Sequence, residues 1–187
     1  CHIKFLRTGK YPVKRLTEAK KKVYFNSKKM KSYMVGLAIS QFFGETHFKM
    51  FKHLQSMILS KANAKSYLEI GPGHGLFSYY SLNILKKLLN YTAVDISKTS
   101  LKLTKDFLFY NSKFNFKKEL SFINMDFLEL KNFNKKFELI VCGEVLEHVS
   151  NPIKLLKNIK KSLDKNGKIF ISTCINCPAI DHVNQFL

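Results

Sequence analysis

The stretch YLEIGPGHGLF at 67–77 constrains this chain more than any other: an apolar strand-forming run reaches an acid, glycine then takes every second position from 71 to 75, and apolar residues resume. Glycines so spaced let a backbone turn sharply and approach a ligand where a side chain would collide. The helix that opens behind them points its unpaired N–H groups at whatever is bound. A dinucleotide loop would read G-x-G-x-x-G, and its third glycine falls here on Leu76 or His74 depending on alignment, which argues against that ligand.

From Lys65 onward, short apolar runs alternate with longer amphipathic stretches, the pattern of βαβ units. Strands are expected at Ser66–Ile70, Tyr91–Val94, Ser121–Asn124, Phe137–Cys142 and Lys168–Thr173, with helices near Leu76–Leu89, Thr99–Tyr110 and Pro152–Leu163. For the last helix Ser150 or Asn151 can cap, Pro152 sits in the first turn, and Asn166–Gly167 is expected to stop it. The fold class is α/β, a doubly wound and mostly parallel sheet. Two acids end its strands. Asp95 in AVDIS stands twenty residues beyond Gly75, where a carboxylate can accept from both hydroxyls of a ribose. Asp126 in INMDFLEL ends the third strand and is placed to take the exocyclic amine of adenine, with Met125 and Phe127 beside the ring.

An acid before three alternating glycines, with acids ending strands two and three, resembles the class I S-adenosylmethionine (SAM)-dependent methyltransferases; the resemblance covers roughly residues 65–175. It implies that Glu69 and the loop Gly71, Gly73 and Gly75 meet the methionine part of SAM, Asp95 and Ile96 the ribose end, and Asp126 and Phe127 the adenine. Sheets of that family carry seven strands, so the last two are expected to be missing from this chain.

Strand four ends in FELIVCGEVLEHV (137–149), which brings Cys142 and Glu144 to the ligand edge of the sheet. Glu144, Glu147 and His148 stand at i, i+3 and i+4 and would share one face of a helical turn. This ExxEH string is similar to that of ubiquinone-pathway O-methyltransferases and small-RNA 2′-O-methyltransferases, where it accompanies a divalent ion. Two carboxylates and an imidazole suit Mg²⁺ or Mn²⁺, with His182 of PAIDHVNQF as a fourth ligand if the chain folds back. Two readings compete: His148 as a metal-free base or orienter, with Glu144 as its catalytic partner, and a purely structural string. Methyl transfer from a sulfonium needs chiefly an aligned acceptor and, for a hydroxyl, a route for its proton.

The acceptor is harder to read. The chain of 187 residues carries a net charge of +19, and residues 1–31 alone hold eleven Lys or Arg against one acid, Glu18. Such an excess favours anionic partners. Yet Arg7 and Arg15 are the only arginines, and Arg is the residue that recognises phosphate bidentately. A small-molecule hydroxyl is therefore the leading expectation, with RNA ribose 2′-O-methylation and a non-catalytic SAM-binding protein as the alternatives. Strand four lacks the N-P-P-Y or D-P-P-Y sequence of nucleobase-amine enzymes, and Cys177–Pro178 reverses the Pro-Cys order of cytosine-5 chemistry. Residues 1–60 are expected to form a basic helical extension or lid, and 61–187 the SAM-binding core. No apolar run is long enough to span a membrane, the start lacks the pattern of a signal peptide, and Cys174 and Cys177 have no second pair to complete a zinc site, so reduced thiols and a cytoplasmic setting are expected.

Overall fold

In the computed structural model, which describes residues 7–8, 16–110, 119–129, 135–175 and 182–184, the period-two alternation of each strand sorts its side chains between two helical layers. The strands are β1 (Ser66–Ile70), β2 (Asn90–Asp95), β3 (Glu119–Asn124), β4 (Phe137–Gly143) and β5 (Leu163–Ser172). All described pairings are parallel, in the order β3-β2-β1-β4-β5. Tyr67, Leu139 and Val141 point to one face, and Leu68, Ile70, Ile140 and Cys142 to the other.

A short helix α1 (Leu16–Ala19) runs into a π-helical turn, Lys20–Tyr24, followed by α2 (Ser27–Phe43) and α3 (Glu45–Leu59). Asn26 caps α2 by accepting from the Lys29 N–H. The two helices part at Gly44, whose missing Cβ would lie 2.9 Å from the Ser40 carbonyl oxygen. Helix α3 belongs to the main core: Phe51, Leu54 and Ile58 are buried against Tyr67, Phe77 and Leu82, each contributing about 1.5–3 kcal/mol. Helices α4 (Leu76–Ile84) and α5 (Lys98–Tyr110) share that face, while α6 (Pro152–Ser162) and the 3₁₀ turn Phe127–Glu129 cover the other.

The largest departures from the sequence reading are at the end of α4 and the start of β5. Helix α4 stops at Ile84 rather than Leu89, because Leu85 and Leu88 enter the core from a non-helical segment whose Leu89 and Asn90 N–H groups both bond to the Lys65 carbonyl. Helix α6 stops at Ser162, and Asn166–Gly167 lie inside β5 rather than after the helix. They form an irregularity in which Phe137 pairs with Leu163 but Leu139 already pairs with Lys168. A Cβ on Gly167 would sit 2.9 Å from the Phe137 carbonyl oxygen, so the close approach needs glycine. Among the described residues, no helix is long and apolar enough to cross a membrane. Most of the basic arm before Leu16 and the Cys177–Pro178 pair lie outside the described residues.

Candidate active site at the carboxyl edge of the sheet

The chain crosses from one side of the sheet to the other between β1 and β4, and a crevice opens at the carboxyl ends of such neighbours. Here it holds a cavity of about 520 Å³. Its floor comes from the loops after β1, β2, β3 and β4, and its roof from the π turn, α2 and the start of α3.

Glycines 71, 73 and 75 all adopt positive φ, at 67°, 55° and 79°. A Cβ on Gly71 would lie 2.6 Å from Val145 Cγ2, and one on Gly75 would lie 3.0 Å from Thr104 Cα. Gly71 and Gly73 line the cavity; Gly75 instead sits against α5 and caps α4. The loop is tied down at the Gly73 carbonyl, which accepts from the Thr104 hydroxyl at 3.2 Å and the Ser100 hydroxyl at 3.4 Å.

Asp95 lines the cavity at the end of β2. Its Oδ1 accepts the Ser97 N–H and its Oδ2 the Ser100 hydroxyl, both at 2.7 Å. Burial raises its pKa to about 6, opposed by those two bonds and by nearby His148. Asp126 also lines the cavity: Oδ1 accepts the Leu128 N–H, and Oδ2 meets the Lys20 ammonium at 3.1 Å. Ile96, Met125 and Phe127 supply apolar walls around it.

Glu69 is placed elsewhere than the resemblance implied. It is 1% exposed and does not line the cavity, because its position in β1 turns it toward the α3–α5 face. There its Oε2 accepts from the hydroxyls of Tyr67 (2.5 Å) and Ser78 (2.6 Å), with Tyr91 at 3.5 Å. Burial raises its pKa to about 7. Its effect is to tie α4 to β1 beneath the glycine loop. Cys142 is likewise buried on the opposite face and away from the cavity, its thiol pushed up by burial and by Glu147.

The ExxEH residues do not share a helical face. Glu144 has a φ of 54°, and its N–H bonds to the Ser172 carbonyl oxygen and hydroxyl, so it still belongs to the sheet edge. Only Leu146–His148 form a 3₁₀ turn. Glu144 and His148 line the cavity, whereas Glu147 is 1% exposed behind them and accepts from the Thr173 hydroxyl. Residues 182–184 fold back onto this turn: the Val183 and Asn184 N–H groups bond to the Glu147 carbonyl, and the Asn184 amide donates to the Leu146 and Val149 carbonyls. His182 thereby packs edge-on against His148, ring centroids 4.8 Å apart. Glu147, His148 and His182 bring ligand atoms within 4.8 Å of one another; Glu144 is outside that group.

The roof residues were not legible one by one. Tyr24, Met34, Leu37, Gln41 and His47 line the cavity, and the sulfur of Met34 stands 3.1 Å from where a Cβ of Gly73 would be. A helical extension was expected over residues 1–60, but nothing in it announced which face would meet the loop. His74 also lines the cavity, and its Nδ1 accepts the Leu76 N–H at 3.0 Å.

A five-stranded parallel sheet flanked by helices, in the order β3-β2-β1-β4-β5, is the fold of the class I SAM-dependent methyltransferases. Comparison with known families agrees: residues 43–185 match the family model described as Methyltransferase domain, and the chain belongs to that family. It is similar to the tRNA U34 carboxymethyltransferase of Campylobacter fetus subsp. fetus, 36% identical over 105 residues, covering 56% of this chain and 35% of that protein. The protein of the same name from Campylobacter jejuni subsp. doylei is 29% identical over 166 residues, covering 84% and 53%. The chain thus spans about half, or less, of the length of these relatives. Among solved structures, N-methyltransferase NodS of Bradyrhizobium japonicum WM9 in complex with S-adenosyl-L-homocysteine (SAH) shares the fold with a TM-score of 0.58 at 19% identity, over 70% of this chain and 63% of that one. Coclaurine N-methyltransferase bound to N-methylheliamine and SAH does so with a TM-score of 0.55 at 20% identity, over 68% and 36%.

Proposed function

We propose that this chain is the catalytic core of a SAM-dependent enzyme whose acceptor is a nucleoside of RNA. The observation that carries the acceptor class is the placement of positive charge: Lys21, Lys22, Lys28, Lys29 and Lys31 are all exposed on the segment that roofs the crevice. A polyanion held there would present a nucleotide at the cavity. The relatives' name, which specifies a tRNA uridine, points the same way. The small-molecule hydroxyl remains the rival, together with ribose 2′-O-methylation of RNA and a binding protein without catalysis.

The glycine cradle fits the methionine end of SAM, since at Gly71 and Gly73 no Cβ stands between backbone and crevice. Asp95 has lone pairs for the ribose hydroxyls, Asp126 an oxygen for the adenine amine, and Ile96 and Phe127 flank the ring. SAM supplies an activated carbon on a sulfonium. The chain's part is to align the acceptor, keep water out under the roof and take the acceptor's proton, for which His148 at the cavity wall is placed. The test is transfer from labelled SAM to bulk tRNA, with nucleosides digested and weighed, so that a methyl and a carboxymethyl product are told apart. Mass added to one uridine is the expected result. Label in small hydroxylated metabolites but never in RNA would restore the rival acceptor, and SAH binding by calorimetry without transfer to any acceptor would leave only the non-catalytic reading.

A second reading has its own observation. Glu147 Oε1 is buried without a hydrogen-bond partner among the described residues, and a carboxylate oxygen of Glu147 lies within 4.8 Å of ligand atoms of His148 and His182. A divalent ion at Glu147, His148 and His182 would satisfy it. Calorimetric titration with Mn²⁺ should then show a site that Glu147→Gln and His182→Asn each abolish while SAH binding survives. No heat for the wild-type protein disposes of the ion.

A further inference from the structure

We infer that the outer face of α2 is a self-association surface, on which α2 of a second copy of this chain packs antiparallel. This surface is independent of the acceptor's identity.

Helix α2 is apolar on both sides. On the inner side Met30, Met34 and Gln41 are buried and, with Leu37, line the cavity. A helix that roofs a site ordinarily turns a polar back to water. This one turns out Val35, Ile39, Phe42 and Phe43, each more than half exposed and Phe43 87% exposed. Lys28, Ser32, Val35, Ile39 and Phe42 recur at steps of four, three, four and three, the spacing of a helix-pairing seam.

Gly36 points outward in the same way. It stands in the middle of α2, where glycine weakens a helix relative to alanine. Its φ is not positive, and a Cβ there would meet nothing within 4 Å. Neither its backbone conformation nor the packing of its own chain asks for glycine. It lies beside the seam with Ser32 and Ser40 one turn away on either side, so a second helix can approach the α2 backbone closely at its midpoint.

Charge selects the occupant and its direction. The first turn of α2 holds Lys28 and Lys29 and no acid, Lys31 follows, and the last turn has no basic residue, the reverse of what a helix dipole favours. A parallel copy would set lysines against lysines. In an antiparallel pair centred on Val35 facing Ile39, Ser32 lies opposite Phe42, small against large, and the two Gly36 positions come side by side. The same register carries Lys28 to the carbonyl end of the other α2 and Lys31 to Glu45 just beyond it. Glu45 is exposed, and the contact it makes within its own chain is with Lys49 at 2.6 Å. Every contact occurs twice about the two-fold axis. Lys21 and Lys22 precede α2 and stand outside the seam. Since the inner face of the same helix lines the cavity, pairing holds the roof down from outside.

Sedimentation equilibrium from micromolar to submillimolar concentration tests this. The wild-type chain should pass from monomer to dimer mass. Ile39→Glu, at an exposed position, should stay monomeric throughout, with SAH affinity unchanged by calorimetry. Gly36→Gln fills open space in the monomer, so at a dilution where both are monomers it should melt a few degrees higher than the wild type, yet dimerise roughly tenfold more weakly or worse. Glu45→Lys should weaken the dimer, and adding Lys31→Glu to it should restore most of the loss. A wild-type chain that is monomeric at every concentration overturns the assignment and leaves the stripe to a partner of another kind. A dimer that Ile39→Glu leaves intact overturns it too, because a different face then pairs. Failure of the charge swap to restore association removes the antiparallel arrangement.

Discussion

Glu69 shows how one buried carboxylate can tie a helix to the sheet beneath a glycine loop. Three hydroxyls surround it, and Ser78 among them lies on α4, the helix that begins where the glycine loop ends. Its pKa is raised from 4.5 to about 7 by burial, so the native state binds a proton that the unfolded chain has released. The sign follows directly. Stability contributed at Glu69 is greatest below pH 4.5 and declines as pH climbs through the window up to about 7, beyond which the penalty is complete. The difference is on the order of 3 kcal/mol. Urea denaturation across this window should show Glu69→Gln losing less stability with rising pH than the wild type; parallel slopes would mean that the buried carboxyl does not titrate there.

At the scale of elements, the loop between β1 and α4 is defined as much by its neighbours as by its own residues. Each glycine has a positive φ, but what closes in on each one differs: Val145 on Gly71, Met34 on Gly73, Thr104 on Gly75. Val145 follows β4, Met34 belongs to the roof and Thr104 to α5, so three separate elements converge on five residues. Gly71→Ala would combine backbone strain of ~1–3 kcal/mol with a clash against Val145. The expected outcome is a melting temperature lower by several degrees together with loss of SAH binding by calorimetry. Wild-type affinity in that variant would show that the loop is not the cradle. The same convergence explains why ExxEH failed as a helical motif: Ser172 of β5 holds the Glu144 backbone in the sheet, and the turn starts only afterwards.

Across the whole molecule, apolar and charged surface are divided by role. The roof turns Met30, Met34, Val23 and Tyr24 inward, packed with Ile96 and Leu103 of the core, and its lysines outward. The Tyr24 carbonyl accepts from the Ser97 hydroxyl, and Lys20 reaches Asp126, so the roof is fastened to both carboxylate-bearing loops. For the tRNA assay this arrangement sets the salt dependence: binding should weaken steeply with salt, and replacing Lys28, Lys29 and Lys31 by alanine should flatten the logarithmic slope by about 0.7–0.9 for each phosphate that is no longer neutralised.

The sequence by itself determined the architecture from Lys65 onward, because period-two apolar runs and alternating glycines are local signals that need no partner to be read. It also placed Asp95, Asp126 and His148 at the ligand edge, since strand ends in a parallel sheet fall on one side whatever packs around them. What it could not decide was direction and neighbourhood. That Glu69 and Cys142 turn away from the cavity depends on which sheet face each helix covers, and that Glu147 gathers with His148 and His182 while Glu144 stays at the sheet edge depends on a strand hydrogen bond from far along the chain. Gln41 entered the site only through the tertiary structure, because the burial of an amide is a property of the space that closes over it.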